Sequence, residues 1–572
     1  MAKIKTNPTK IMTPKKLLLV FLLLSGICFG QTNYYVSTTG NNANSGSLAS
    51  PWKTIQYALN QLPANSILNV FPGTYTEKIS IPISNITLKN HSVTLPVIDA
   101  TGLTGQDAII AITNKSNVTI DGLELQNNIR LDAQGILIDG SGANNTIKNC
   151  KIHDIHFSSN PIAAVSSSKN AQGIIVYGTS GTTAITNLKI QNNELYNCRL
   201  GYSEGIAVNG NVDGFEISNN NVHDLTNIGI DIIGHEGTAP ANDQARNGLV
   251  KNNIAHHCVS AYASSGGIYI DGGKNIIVEN NTSYHNGYGI EVGCENKGKT
   301  TDAIIIRNNV FYDNQICAVA LGGFAYPGGS GKVINSSIKN NTCYFNDYSK
   351  SGNGELYLSY SENSVIENNI FYTTVKNSLA YAELTQPGLI FNYNTIYCPG
   401  GTTNLSVDWN GNSYTGYTAF VTGTSTNTNS VFDNPQFTTA NITNPDFHLL
   451  TNSPSKNAGN PSYVVANGET DFYNQLRIEG GRIDMGADEF GTTLGLEEKT
   501  ITSFTIYPNP TSNFVTINSE LPVDNYTIFS NNGQKLLEGK NNTIDLTSLP
   551  SGLYLIQFEI DSKNYVGKII KE

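Results

Sequence analysis

The sequence predicts an all-β chain, a right-handed parallel β-helix followed by a small C-terminal β-sandwich. Three observations predict it. An aliphatic strand ending in an Asn-Asn pair recurs along the middle of the chain, with the first Asn at 192, 219, 252, 280, 308, 340 and 368. The steps are 27, 33, 28, 28, 32 and 28 residues, the mark of a solenoid whose insertions fall in loops. The strands alternate apolar and polar with period two, as in Phe215-Glu216-Ile217-Ser218, which excludes helical repeats. A final module from about residue 500 changes character, with short strands separated by Asn, Gly and Pro turns.

Each segment then finds a place. Residues 1–30 read as an export signal: Lys10, Lys15 and Lys16, the apolar run Leu17–Leu24, then small residues up to Gly30. That run is too short to span a bilayer, and no later segment has the ~20 apolar residues a spanning helix needs. Residues 31–84 form an N-terminal cap and first coils. There Ser50 and Pro51 are expected to start a short helix running to Leu59, with Ser50 as N-cap. Residues 85–443 are the β-helix proper, its later part, 404–443, being a lateral insertion or the last coils. Asn at a repeated corner has two physical uses: it tolerates the left-handed region, and stacked amides can hydrogen-bond along the axis. The hand should be right, because parallel crossovers are.

Composition narrows the function. Asp and Glu number 45 against 34 Lys and Arg, a net charge of −11, which disfavours nucleic acid as a partner. Beyond Cys28 in the signal, seven cysteines lie far apart with no C-x-x-C pair, so they read as small buried residues and not as a disulfide framework or metal site.

Chemistry concentrates in three strands of the form Gly-Ile-x-(Ile/Val): Gly229–Ile232, Gly267–Asp271 and Gly289–Val292. If the aliphatic residues face the core, Asp231, Tyr269 and Glu291 share an outward column at the third position, and Asp271 sits at the fifth. Strands ~4.8 Å apart put Asp271 roughly 8 Å from either neighbour and Asp231 roughly 10 Å from Glu291, backbone to backbone. Side chains then reach the about 5–9 Å carboxyl separation that glycoside hydrolysis uses. Crowded carboxylates split their pKa values, so one can be acid while another is base or nucleophile. Asp231, Asp271 and Glu291 are therefore the candidate catalytic residues. Tyr269, His235, Glu236, Arg246, Lys274, Glu295, Lys297, Phe324 and Tyr326 are the candidate substrate-binding residues, the aromatics suited to stacking on a sugar face. His256 and His257 lie away from the acidic strands.

Resemblance adds to this reading. Residues 34–400 resemble the secreted right-handed β-helix superfamily that includes pectate lyases and several glycoside hydrolases. Asp271 and Glu291 are similar to the pair used by β-helical xylosidases, but the local motifs differ and carry no substrate across. The paired-Asp signature of polygalacturonases and the calcium-binding Asp cluster of pectate lyases are not evident. Residues 444–490, with Asp484-Met485-Gly486-Ala487-Asp488-Glu489, resemble the closing segment of such proteins, which implies an end cap. After a linker at 491–499, residues 500–572 resemble the type A sorting domain of the type IX secretion system, which implies that export machinery as a partner and a secreted or surface location.

The expectation is a monomeric, exported glycoside hydrolase acting on a plant or algal polysaccharide or its oligosaccharides, needing no cofactor. A polysaccharide lyase would instead use the same carboxylates to hold Ca²⁺, with Lys274, Lys297 or Arg246 taking the proton beside a uronate. A non-catalytic glycan binder is the third class.

Overall fold

The computed structural model describes residues 31–349, 351–491, 505–519, 523–530, 534–560 and 563–572. The export segment, Cys28, residues 492–499 of the linker and the Asn531–Gly533 turn lie outside the described residues. The chain forms two units, 1–491 and 492–572.

In the larger unit each coil contributes one strand to each of three parallel sheets, which hold 16, 13 and 13 strands. One coil shows the order: Val212–Ser218 in the first sheet, Asn221–Leu225 in the second, Ile230–Ile233 in the third, then Arg246–Lys251 back in the first. The Asn-pair strands and the Gly-Ile-x strands read from the sequence belong to two of these sheets. The additional sheet is built from strands as short as Thr282–Tyr284, too brief to show alternation. Aliphatic residues from all three sheets fill one core, among them Ile217, Val222, Ile230 and Val250.

The Asn pair divides its work. The first Asn takes the left-handed conformation at every corner, with φ between 54° and 60° from Asn192 to Asn368. The second is buried and stacked. Asn193, Asn220, Asn253, Asn281, Asn309, Asn341, Asn369 and Asn394 form a ladder in which each Nδ2 donates to the next Oδ1 at 2.9–3.0 Å. The same Oδ1 also accepts the backbone N–H of the Asn one coil earlier, as Asn309 does from Asn281 at 2.9 Å. A buried amide so satisfied on both sides fixes coil register, because losing one rung orphans its neighbours.

Both ends differ from expectation. Helix α1 spans Ile55–Gln61, starting later than Pro51, and Ser50 does not cap it. The Glu77 carboxylate from the following coil does, accepting the Ile55 and Gln56 amides at 2.8 and 3.0 Å. At the other end an antiparallel hairpin, Ser406–Trp409 with Asn412–Thr415, and helix α2, Tyr417–Thr424, close the core, where Phe420 packs on Trp409 and Phe391. The segment 444–490 does not close the end. It runs along the flank: Phe447, Leu449, Met485 and Ala487 pack on Val310, Tyr312, Tyr344 and Ile370. Arg307 pairs with Glu469 at 3.0 Å, and Asn280 donates to the Asp471 carbonyl. Its carboxylates serve local backbone; Asp484 accepts the Phe490 amide at 2.6 Å and Glu489 accepts the Asp484 amide at 3.0 Å.

The smaller unit is a sandwich of one three-stranded and one four-stranded antiparallel sheet around Val515, Ile517, Ile528, Ile556 and Phe558. All seven cysteines of the described residues are buried and unpaired.

Candidate functional site

The acidic strands are consecutive in the third sheet. They are β1 (Ile206–Gly210), β2 (Ile230–Ile233), β3 (Gly266–Asp271), β4 (Tyr288–Gly293) and β5 (Cys317–Leu321). The first four begin beside a glycine because the strands approach too closely for a side chain. A Cβ at Gly229 would sit 2.5 Å from the Gly267 carbonyl oxygen, and one at Gly289 2.6 Å from that of Ala318. Register then stacks Ala207, Asp231, Tyr269, Glu291 and Ala320 on the outer face, with Asp271 paired to Gly293. The column continues to Ile175 and Leu137 on one side and to Tyr357, Tyr381 and Asp408 on the other.

The three carboxylates point away from the helix core, yet they are not the solvent-facing groups the alternation suggested. Asp231 is 3% exposed, Asp271 4% and Tyr269 5%, while Glu291 is half-buried. The turns after the strands cover them. Asp271 Oδ1 accepts the Glu295 amide at 2.8 Å, which folds the Gly293–Lys299 turn back over the sheet. Tyr269 lies along the face and donates its hydroxyl to Glu295 Oε1 at 3.4 Å. A Cβ at Gly293 would come within 2.9 Å of that hydroxyl, so glycine makes the room. Glu236, exposed, accepts from Asn296 Nδ2 at 2.6 Å and ties two turns together. Asp231 Oδ1 has no hydrogen-bond partner.

Burial and mutual repulsion raise the carboxyl pKa values. Asp231 is held well above the usual carboxylate range by burial, then by Glu204, Asp271, Glu295 and Glu291. Asp271 is raised by burial and by Glu295, against which the Glu295 amide favours its ionised form. Glu291 is pushed up to about 8 by burial and then Glu295. Among the described residues, none of these carboxylates has an ion-pair partner, and no three His, Cys, Asp or Glu side chains are arranged to hold a metal ion.

Glu204 is a member the sequence reading missed; burial pushes it up to about 8 as well. Its signal lies one residue before Gly205. In the equivalent strand Ala133 and Ile136 both enter the core, and a Cβ on Gly135 would run into the buried Ile152. The glycine is an extra residue that interrupts alternation, so the residue before it joins the outer face.

Several expected binding residues lie elsewhere. Arg246 and Lys274 head strands of the first sheet, where Asp213 and Asp302 neutralise them at 3.1 and 3.3 Å. His235 is turned toward the Thr300 carbonyl and Gln244, each at 3.2 Å, beside a cavity of about 470 Å³ lined by His235, Gly237, residues 239–244 and Lys299. Lys297 is exposed on the turn, as is Glu295. Phe324 is 63% exposed, and Tyr326 stacks on Tyr360 with centroids 4.1 Å apart. Their loop leans on the acidic turn, where the Gly331 amide donates to the Cys294 carbonyl at 2.9 Å.

His256 and His257 belong to the second sheet. There His153, Tyr196, His223, His256, Tyr284 and Tyr312 form one continuous stack, centroids 4.7–5.4 Å apart and rings within 15° of parallel.

Comparison with known proteins agrees with this architecture. The family described as right handed beta helix region matches residues 172–345 and 249–452. The protein YwoF of Bacillus subtilis (strain 168), itself uncharacterised, is 32% identical over 443 residues, 74% of this chain and 92% of that protein. The chain is a right-handed β-helix protein. Residues 505–572 match the secretion system C-terminal sorting domain, so this β-helix protein is exported by type IX secretion to the cell surface or beyond. Residues 38–84 match a family described as a protein of unknown function, DUF1565. Among solved structures the fold is similar to pectate lyase Pel9A, at 16% identity and TM-score 0.44, covering 81% of this chain and 97% of that one. It is also similar to XylC in complex with xylose, at 12% identity and TM-score 0.40, covering 64% and 84%. No described helix is long and apolar enough to cross a membrane.

Proposed function

We propose that this protein is an exported carbohydrate-active enzyme that hydrolyses glycosidic bonds on the outer face of the third sheet. One observation carries the reading: Glu291 is held protonated to about pH 8, one strand from Asp271, whose Oδ1 accepts a backbone N–H that favours its ionised form. Burial and crowding raise both carboxyls, so the pair gives up its protons one at a time, and the N–H bond stabilises the charge on Asp271 while Glu291 keeps the proton, the division of roles that glycoside hydrolysis needs. Glu291 acts as general acid and Asp271 as base or nucleophile. Asp231, two strands from Glu291 and raised well above the usual carboxylate range, is a second protonated acid at the site. Phe324 and Tyr326, on the neighbouring coil, supply apolar faces for a sugar ring.

The test is a polysaccharide panel read for new reducing ends and for absorbance of an unsaturated product. Hydrolysis gives reducing ends without that absorbance and is unaffected by chelator. A calcium-dependent lyase using the same carboxylates would give the absorbance and lose activity with chelator. Glu291→Gln and Asp271→Asn should each lower kcat by on the order of 10³-fold. Full activity in both variants would refute the assignment.

A further inference from the structure

Building on the hydrolase reading, we propose that the outer face at the acidic column selects by charge: it takes an uncharged glycan and turns away uronate chains. Six carboxylates border it, Glu204, Asp231, Glu236, Asp271, Glu291 and Glu295, and none is ion-paired among the described residues. The two cations that might have offset them, Arg246 and Lys274, are taken up by Asp213 and Asp302 on another sheet. The outer column holds no Lys or Arg from Leu137 to Asp408, and the parallel row Asp139, Tyr177, Asn209, Ile233 and Asp271 holds none either. The remaining nearby lysines, Lys297 and Lys299, stand exposed on the rim.

A second observation points to the kind of group that enters. Asp231 is buried on this face with Oδ1 unpartnered, an acceptor in need of a donor. Neutral pyranose hydroxyls are donors and satisfy it. A uronate carboxylate brings another acceptor, and a charge it would have to keep where burial and crowding already suppress the ionisation of Asp231, Asp271 and Glu291.

The experiment is native affinity electrophoresis of the full chain in gels containing mixed-linkage β-glucan, xyloglucan, galactomannan, polygalacturonate or alginate, at low salt, with calcium chloride or with EDTA. At least one neutral polymer should retard the protein about tenfold more strongly than either polyuronate, in both additives. At about pH 9, above the Glu204 value of about 8, the double variant Glu204→Gln, Glu236→Gln should gain polyuronate binding by about tenfold while keeping its fold by circular dichroism. Polyuronate binding equal to or stronger than neutral binding, polyuronate binding restored by calcium, or binding to no polymer would each overturn the proposal. A neutral polymer bound but never cleaved would defeat the hydrolase reading and leave the charge selection standing. A polyuronate bound and hydrolysed would do the reverse.

Discussion

Two outer faces of the same β-helix use the same inter-strand repeat to opposite effect. On the second sheet the repeat stacks six aromatic rings at 4.7–5.4 Å, and each ring gains from its neighbours. The side chains there also find partners, as His285 does with Asp313 at 2.7 Å. On the third sheet the repeat stacks Asp231, Tyr269 and Glu291 with Asp271 beside them, and each carboxyl is disfavoured by the others. A solenoid copies whatever it places at one position, so stacking yields stability on one face and stored repulsion on the other. The face that costs stability is the one to which the proposed hydrolysis is assigned.

This contrast can be broken in order of expected effect. Glu291→Gln should abolish most activity while leaving thermal stability equal or higher, because it removes a repelled acid; a fall in Tm together with activity would place Glu291 among the structural groups. Tyr284→Ala should do the opposite. It removes contacts to His256 at 4.8 Å and Tyr312 at 4.7 Å, costing about 2 kcal/mol in denaturant titrations, with turnover per folded molecule unchanged.

The two faces should also respond to pH with opposite sign. Glu291 and Glu204 have folded pKa values raised to about 8, so the folded state binds more protons than the unfolded one between pH 4.5 and 8. Their stabilising contribution is full below that window and lost as pH rises through it. His256 is lowered to about 4 by burial and by His223 and His257, so the unfolded state binds more protons between pH 4 and 6.5. Its contribution is lost as pH falls through that range. Tm should therefore peak at about pH 4 to 4.5, because above that range the two falling Glu contributions outweigh the one rising His contribution. Glu291→Gln should flatten the alkaline side, and His256→Phe, which keeps the ring stack, should flatten the acid side by a smaller amount.

The repeat itself was legible because the Asn pairs and the Gly-Ile-x strands carry register in residue type. Asp231, Asp271 and Glu291 could be placed in one patch for the same reason. What escaped depends on contacts between distant segments. Their burial comes from turns such as Gly293–Lys299, whose course alternation does not report. Glu204 was hidden by one extra glycine that shifts the outward phase. The cap of α1 comes from Glu77, 22 residues beyond Ile55, and the flank is fixed by Asn280 and Asp471, 191 residues apart. Arg246 and Lys274 looked available only because Asp213 and Asp302 lie one coil away on the first sheet.

The Asn ladder has a consequence for how such a chain changes over generations. Each rung resets the register independently of the length of the turns between rungs, which here lets coils of 27 and 33 residues follow one another. A duplication or deletion that begins and ends at an Asn pair adds or removes one whole rung. Its junction is already hydrogen-bonded, so the coil is the natural unit of recombination. Lengthening the β-helix is then a single genetic event that leaves the acidic strands untouched.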